Sequence, residues 1–186
     1  MLDIALYDAI SAVRALSKFG LGYIEQPVAR RDLKGLAAIR REAAGVPVMA
    51  DESLFTLQDA YALAEARAVD AFCIKLYKIG GFTTAKKIAA VAEAANIQVN
   101  CGGLAVQSQL EAAAGAHFYA STPLKRMMGA GEFVFGLNTT APDPLVPETT
   151  FVVRDGHVDV PTGPGLGIAV DEAALKKNTL KRESIG

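Results

Sequence analysis

Three apolar runs each end in a charged residue, and the three charges are nearly evenly spaced. Gly22-Tyr23-Ile24 ends in Glu25, Val46-Pro47-Val48-Met49-Ala50 ends in Asp51, and Ala71-Phe72-Cys73-Ile74 ends in Lys75, at intervals of 26 and 24 residues. A fourth run, Ile97-Gln98-Val99, ends in polar Asn100 and Cys101 after a further 26. That interval is the length of one strand, one helix and two loops, the repeating unit of a (β/α) barrel. Short strands that each finish in a chemical group bring those groups to one rim. Two carboxylates and a lysine on one rim point to a metal site with a base beside it.

The segments between the runs carry helical signals. Residues 5–19 place Ala9, Ile10, Val13, Leu16 and Phe19 on one face, and Gly20 supplies a stop. Asp32 is placed to cap a helix carrying Leu33, Leu36, Ala37 and Ile39. Thr56 and Asp59 have capping-box spacing, with Asp where Glu is usual, ahead of a helix reaching about 68. Further helices are expected from Thr83 or Thr84 to about 95 and over 105–116, and a last barrel strand over 124–128. Strands alternating with helices imply a parallel sheet covered by helices. The predicted fold class is therefore α/β, the C-terminal part of a TIM-type barrel with about five strands, over residues 1–135. Residues 136–186 differ: prolines break them up, and Asp155-Gly156 between Phe151–Arg154 and His157–Val160 is a hairpin signal. They are predicted to form a separate C-terminal segment with a hairpin. A closed barrel needs eight strands, so the chain is expected to be part of a larger protein.

Composition narrows the function classes. A formal charge of −1 gives no general attraction to nucleic acid or to an anionic membrane. No stretch has transmembrane length and no basic signal pattern opens the chain, so cytoplasmic residence is expected. The two cysteines, Cys73 and Cys101, both fall in predicted strands, which argues against a disulfide framework.

Each candidate also has a plain structural role open to it. Glu25 is placed to bond a helix N-terminus and Asp51 to shape a loop. A lysine ending a core strand is rarely buried without a partner, which singles out Lys75. Lys78 reads as a solvated loop charge or a substrate contact, and Cys101 as a small core residue rather than a nucleophile, since no His is placed near it in sequence. Gly80-Gly81 and Gly102-Gly103 fit tight turns and lack a phosphate-loop pattern. His117 and His157 read as structural or surface residues, and Tyr23, Phe72 and Phe82 as packing residues.

Four motifs, in this order and at this spacing, resemble the enolase superfamily in its mandelate racemase/muconate lactonizing branch. They are Tyr23-Ile24-Glu25-Gln26-Pro27, Ala50-Asp51-Glu52-Ser53, Ile74-Lys75-Leu76-Tyr77-Lys78-Ile79-Gly80-Gly81, and Pro161-Thr162-Gly163-Pro164-Gly165-Leu166-Gly167 with Asp171. The resemblance implies that Glu25 and Asp51 are two of three carboxylate ligands to Mg²⁺, with Mn²⁺ a possible substitute. It implies that Lys75 is the acid-base residue, Glu52 a carboxylate supporting the site, and Lys78, Cys101 and Gln107 contacts to a small carboxylate substrate. The family's third ligand and its other lysine would lie on strands upstream of Met1. The resemblance also makes residues 136–186 a C-terminal return segment, and the N-terminal capping domain on which it would pack would lie outside this chain.

The implied reaction is proton transfer at the carbon next to a carboxylate through a Mg²⁺-stabilised enolate, most like a muconate cycloisomerase. A racemase or epimerase and an acid-sugar dehydratase are the alternatives within the superfamily. Gln107 departs from the pattern: it stands where muconate lactonizing members often carry Glu, and an amide cannot relay a proton. That leaves the substrate open. The full-length form is expected to be a homo-oligomer that binds neither nucleic acid nor membrane. The isolated chain is expected to be inactive, and a catalytically inert fragment is the reading from outside the enzymes.

Overall fold

A computed structural model describes residues 5–104, 108–137, 143–147 and 153–183. The order of elements is α1 (Leu6–Ser17), β1 (Ile24–Glu25), α2 (Leu33–Glu42), β2 (Val48–Ala50), α3 (Leu57–Glu65), β3 (Ala71–Ile74), α4 (Leu76–Ile79), α5 (Phe82–Ala94), β4 (Gln98–Cys101), α6 (Gln109–Ala120), β5 (Val153–Arg154), β6 (His157–Val158) and α7 (Glu172–Asn178). Two compact units emerge: Met1–Gly102 with Thr122–Ala130, and Gly103–Ser121 with Gly131–Gly186. The division falls at Gly102 rather than at 135, because α6 groups with the C-terminal residues.

In the first unit β1 to β4 form one sheet in chain order, every neighbouring pair parallel. The strands are two to four residues long and β2 and β3 are buried throughout. Burial on both faces explains their unbroken apolar sequence. Side chains alternate between faces and the register keeps neighbours in phase. Glu25 pairs with Met49, Met49 with Ala71, and Cys73 with Asn100, so these residues share one face. On that face Met49, Ala71 and Cys73 form a cluster with Tyr23 and Met128 packed against it. The other face carries Val48, Ala50, Phe72, Ile74, Val99 and Cys101, all buried.

The caps act as the sequence indicates. The Asp32 carboxylate accepts from Gly35 N at 2.7 Å. Thr56 and Asp59 form the reciprocal box: Asp59 N donates to Thr56 Oγ1 at 3.0 Å, and Thr56 N to the Asp59 carboxylate at 2.9 Å. Three expectations shift. Ser108 caps α6 by accepting from Leu110 N, so that helix starts at Gln109 rather than Ala105. Residues 124–128 make a 3-10 turn over Leu124–Arg126, and only Met127 bridges, in parallel, to Val99. The expected fifth strand is thereby reduced to one bridge. Phe82 opens α5 and is 39% exposed, so it is not a packing residue.

In the second unit Ala112, Ala113 and Leu137 form a small core, with Val134, Val158, Leu166 and Ile168 packed against it. The expected hairpin is present as β5 and β6. Asp155 and Gly156 both have positive φ, as its two-residue turn requires. The rest of the expected hairpin's first strand, Phe151 and Val152, lies outside the described residues. Both histidines serve structure: His117 Nε2 contacts Leu166 O at 3.3 Å, and His157 Nδ1 contacts Asp155 O at 2.8 Å. Both cysteines are buried, and they form no disulfide. Among the described residues no helix is long and apolar enough to cross a membrane.

Candidate active site

The face that carries Met49 and Cys73 continues, two residues further along each strand, into Asp51 and Lys75. Glu25 occupies the same face at the end of β1. All three residues belong to the first unit. Lys75 Nζ donates to Asp51 Oδ2 at 2.6 Å. Glu25, Asp51 and Cys73 each offer one ligand atom, and these atoms lie within 4.8 Å of one another.

Lys78 reaches the same carboxylate from the next turn. Lys75 precedes the four-residue helix α4, which ends at Gly80 in the left-handed region. That turn carries Lys78 back over the strand end. Its Nζ donates to Asp51 Oδ1 at 2.5 Å and to Asp51 O at 2.6 Å, and lies 3.4 Å from Cys73 O. An ammonium has three donors, so these contacts account for all of them. The Lys78 charge also lies 5.3 Å from the centre of the Phe55 ring. The side chains of Lys75, Lys78 and Asp51 are 13%, 5% and 8% exposed.

Burial alone would push the Asp51 carboxyl up. The Lys78 charge beside it, with hydrogen bonds from both lysines, outweighs burial and holds it below its ordinary value. Burial alone would lower Lys75. Its hydrogen bond to Asp51, with the neighbouring Cys73, Asp51 and Tyr77 groups, raises it instead. In this arrangement Asp51 is an anion and Lys75 an ammonium.

A family model described as enolase C-terminal domain-like matches residues 4–174. The chain belongs to that family. Within it, this enolase C-terminal domain-like chain is 36% identical over 166 residues to the chloromuconate cycloisomerase of Pseudomonas putida, covering 88% of this chain and 42% of that protein. It is 35% identical over 176 residues to the L-Ala-D/L-Glu epimerase of Bacillus subtilis, covering 91% of this chain and 44% of that protein. It superposes on the crystal structure of 2-chloromuconate cycloisomerase from Rhodococcus opacus with a TM-score of 0.81 at 35% identity, covering 95% of this chain and 46% of that one. The chain thus spans less than half the length of these relatives. They place it in the mandelate racemase/muconate lactonizing branch, and its fold is the C-terminal portion of that branch's barrel.

The residues fit a hard divalent cation of the kind this family implies. Glu25 and Asp51 supply carboxylate oxygens, the donors Mg²⁺ and Mn²⁺ prefer. Glu52 Oε2, on the residue after Asp51, is buried without a hydrogen-bond partner among the described residues. The Cys73 thiol is the soft donor of the set and does not suit such an ion.

Of the residues singled out in the sequence, Glu25, Asp51, Lys75 and Lys78 come together. Cys101 does not: it pairs with Ile74 and is buried on the opposite face of the sheet. Gln107 lies outside the described residues. Sequence reasoning passed over Cys73, Asn100 and Gly102, which share the site's face. Counting back two residues from Lys75 gives Cys73, but for β4 the pattern alone could not choose between Asn100 and Cys101. Asn100 Nδ2 donates to Met128 O at 2.9 Å and Ala130 O at 3.2 Å. Gly102 leaves room for Lys75: a Cβ there would lie 2.7 and 2.8 Å from Lys75 Cγ and Cε, and 2.5 Å from Cys73 Sγ.

Proposed function

We propose that this chain is the acid-base and metal-ligand portion of a Mg²⁺-dependent isomerase or lyase that moves a proton at the carbon next to a substrate carboxylate. The observation that carries this reading is the placement of Glu25, Asp51 and Lys75 on one face at the ends of three adjacent parallel strands. Glu25 and Asp51 would hold the cation. When bound, it supplies positive charge that stabilises the substrate carboxylate as negative charge builds on it.

The chain's own residues then have separate tasks. Lys75 carries the proton at Nζ and delivers it to the carbon next to the carboxylate; to take a proton from that carbon it must first become the neutral amine. Lys78 holds Asp51 and, with its three donors engaged, is not a substrate contact. Burial of Asp51 and Lys78 keeps water from competing for these bonds. The substrate reading favoured here is muconate-like, following the relative at 36% identity. In the lactone-forming direction one substrate carboxylate oxygen forms a C–O bond within the molecule. The electron pair moves to the carbon next to the other carboxylate, and Lys75 Nζ protonates that carbon. Epimerisation of a dipeptide is the second reading, favoured by the relative at 35% identity. The working protein is read as cytoplasmic and homo-oligomeric.

The test uses the protein at its natural length, with Mg²⁺ in D₂O, and offers cis,cis-muconate and L-Ala-L-Glu separately. Deuterium entering the carbon next to the carboxylate is read by proton NMR. The expected result is uptake with one of the two, lost in Lys75→Met. Uptake unchanged in Lys75→Met contradicts the assignment.

A further inference from the structure

We propose that Gln26 is a positioning residue that fixes the spacing of the Glu25 and Asp51 carboxylates by joining the end of β1 to the loop after β2. The proposal deepens the functional reading above and rests on its assignment of those two carboxylates as ligands.

The β1–β2 ladder ends with the pair Glu25 and Met49. The Gln26 N–H makes one more backbone bond, to Met49 O at 2.9 Å. Pro27 follows and has no N–H to continue the ladder. From this point the Gln26 side chain replaces it. Its Oε1 accepts from Asp51 N and from Ser53 N, both at 3.0 Å. Its Nε2 donates to Val28 O at 3.0 Å and to Ser53 Oγ at 2.8 Å. Ser53 Oγ in turn donates to Arg30 O at 2.6 Å. A side-chain amide has two N–H groups and two lone pairs, and all four are used. The residue is 6% exposed, so water does not compete.

The network starts from the residue next to Glu25 in the chain and bonds directly to the backbone N–H of Asp51. Asparagine is one methylene shorter, and glutamate lacks the two donors. The backbone adds an independent sign. Gln26 has φ +40. Among the described residues four other non-glycines have positive φ: Ala44, Arg67 and Asn96 lie just beyond helix ends, and Asp155 is in the hairpin turn. Gln26 alone of these five follows a strand of the parallel sheet, where a left-handed residue persists only if its surroundings hold it.

The experiment compares the full chain with Gln26→Ala and Gln26→Gly. Glycine accepts the backbone conformation freely but supplies no amide. Two quantities are read: Mn²⁺ affinity by electron paramagnetic resonance, and hydrogen exchange of the Asp51 and Ser53 amides by NMR. Both variants are expected to bind Mn²⁺ at least about tenfold more weakly, the usual loss when a residue that orients a ligand is removed. In both, those two amides are expected to exchange at least about tenfold faster, while amides of the β3–β4 ladder keep the parent rates. Gln26→Gly with Mn²⁺ affinity and amide protection within about twofold of the parent would overturn the proposal. If the parent chain itself binds no Mn²⁺, the ligand reading fails, and amide exchange alone decides the positioning role.

Discussion

Lys78 holds Asp51 at two points, donating to its carboxylate at 2.5 Å and to its backbone carbonyl at 2.6 Å, while Lys75 takes the other carboxylate oxygen at 2.6 Å. The two lysines therefore are not equivalent. Lys78 is sealed in and fully engaged; Lys75 is bound through a single hydrogen bond to Asp51 and stands closer to solvent.

Removing Lys78 should destabilise the fold more than removing Lys75. Lys78→Met leaves the Asp51 carbonyl and one carboxylate oxygen buried without their donor, a loss of about 1–3 kcal/mol for each unsatisfied group. Lys75→Met leaves Asp51 still paired with Lys78. Urea midpoints of the two variants, compared with the parent, check the order.

Gly102 sets the path of Lys75. Gly102→Ala would put a methyl group within 2.8 Å of the lysine stem and 2.5 Å of Cys73 Sγ. Overpacking of this kind costs about 1–3 kcal/mol. The expected result is a displaced Lys75 with its Asp51 hydrogen bond broken, read as a changed Lys75 ammonium resonance in ¹⁵N NMR. Gly102→Ala/Cys73→Ala relieves only the sulfur contact and should not restore it.

Asp143 ties α6 to the chain after it. Its carboxylate accepts from Ser108 Oγ, Gln109 N and Leu145 N at 2.7, 2.6 and 2.8 Å. Burial alone would raise its pKa; the hydrogen bonds from Ser108 and the surrounding backbone lower it. A carboxyl with a depressed folded-state pKa stabilises above its unfolded value and loses that contribution as pH falls through the folded value. Asp143→Asn should therefore be less stable than the parent at pH 7, and the gap should narrow progressively below about pH 4. Denaturant midpoints along a pH series measure it.

The charged ends of β1, β2 and β3 were legible because two-sided burial leaves a short apolar run whose end is abrupt. Capping was legible because it depends on residues three apart: Thr56→Ala should cost about 1 kcal/mol in thermal or urea unfolding. What escaped the sequence depends on contacts between distant segments. Lys78 reads as a loop charge until α4 turns it back onto Asp51. Cys101 and Asn100 are adjacent polar residues, and only the register of β4 against β3 decides which one faces the site. Gly102 carries a turn signal, whereas its importance is the space it leaves. Gln26 is visible as a letter in a motif, but its four bonds reach across to residues at 51 and 53 and appear only once β1 lies beside β2.

The central claim is that Glu25 and Asp51 together hold a divalent ion while Lys75 works beside it. Its most direct test is a Mn²⁺ titration of the chain against Glu25→Gln, Asp51→Asn and Lys75→Met, followed by electron paramagnetic resonance. The account predicts a loss of affinity of about tenfold or more for each carboxylate variant and no loss for Lys75→Met. Unchanged affinity in both carboxylate variants would contradict it.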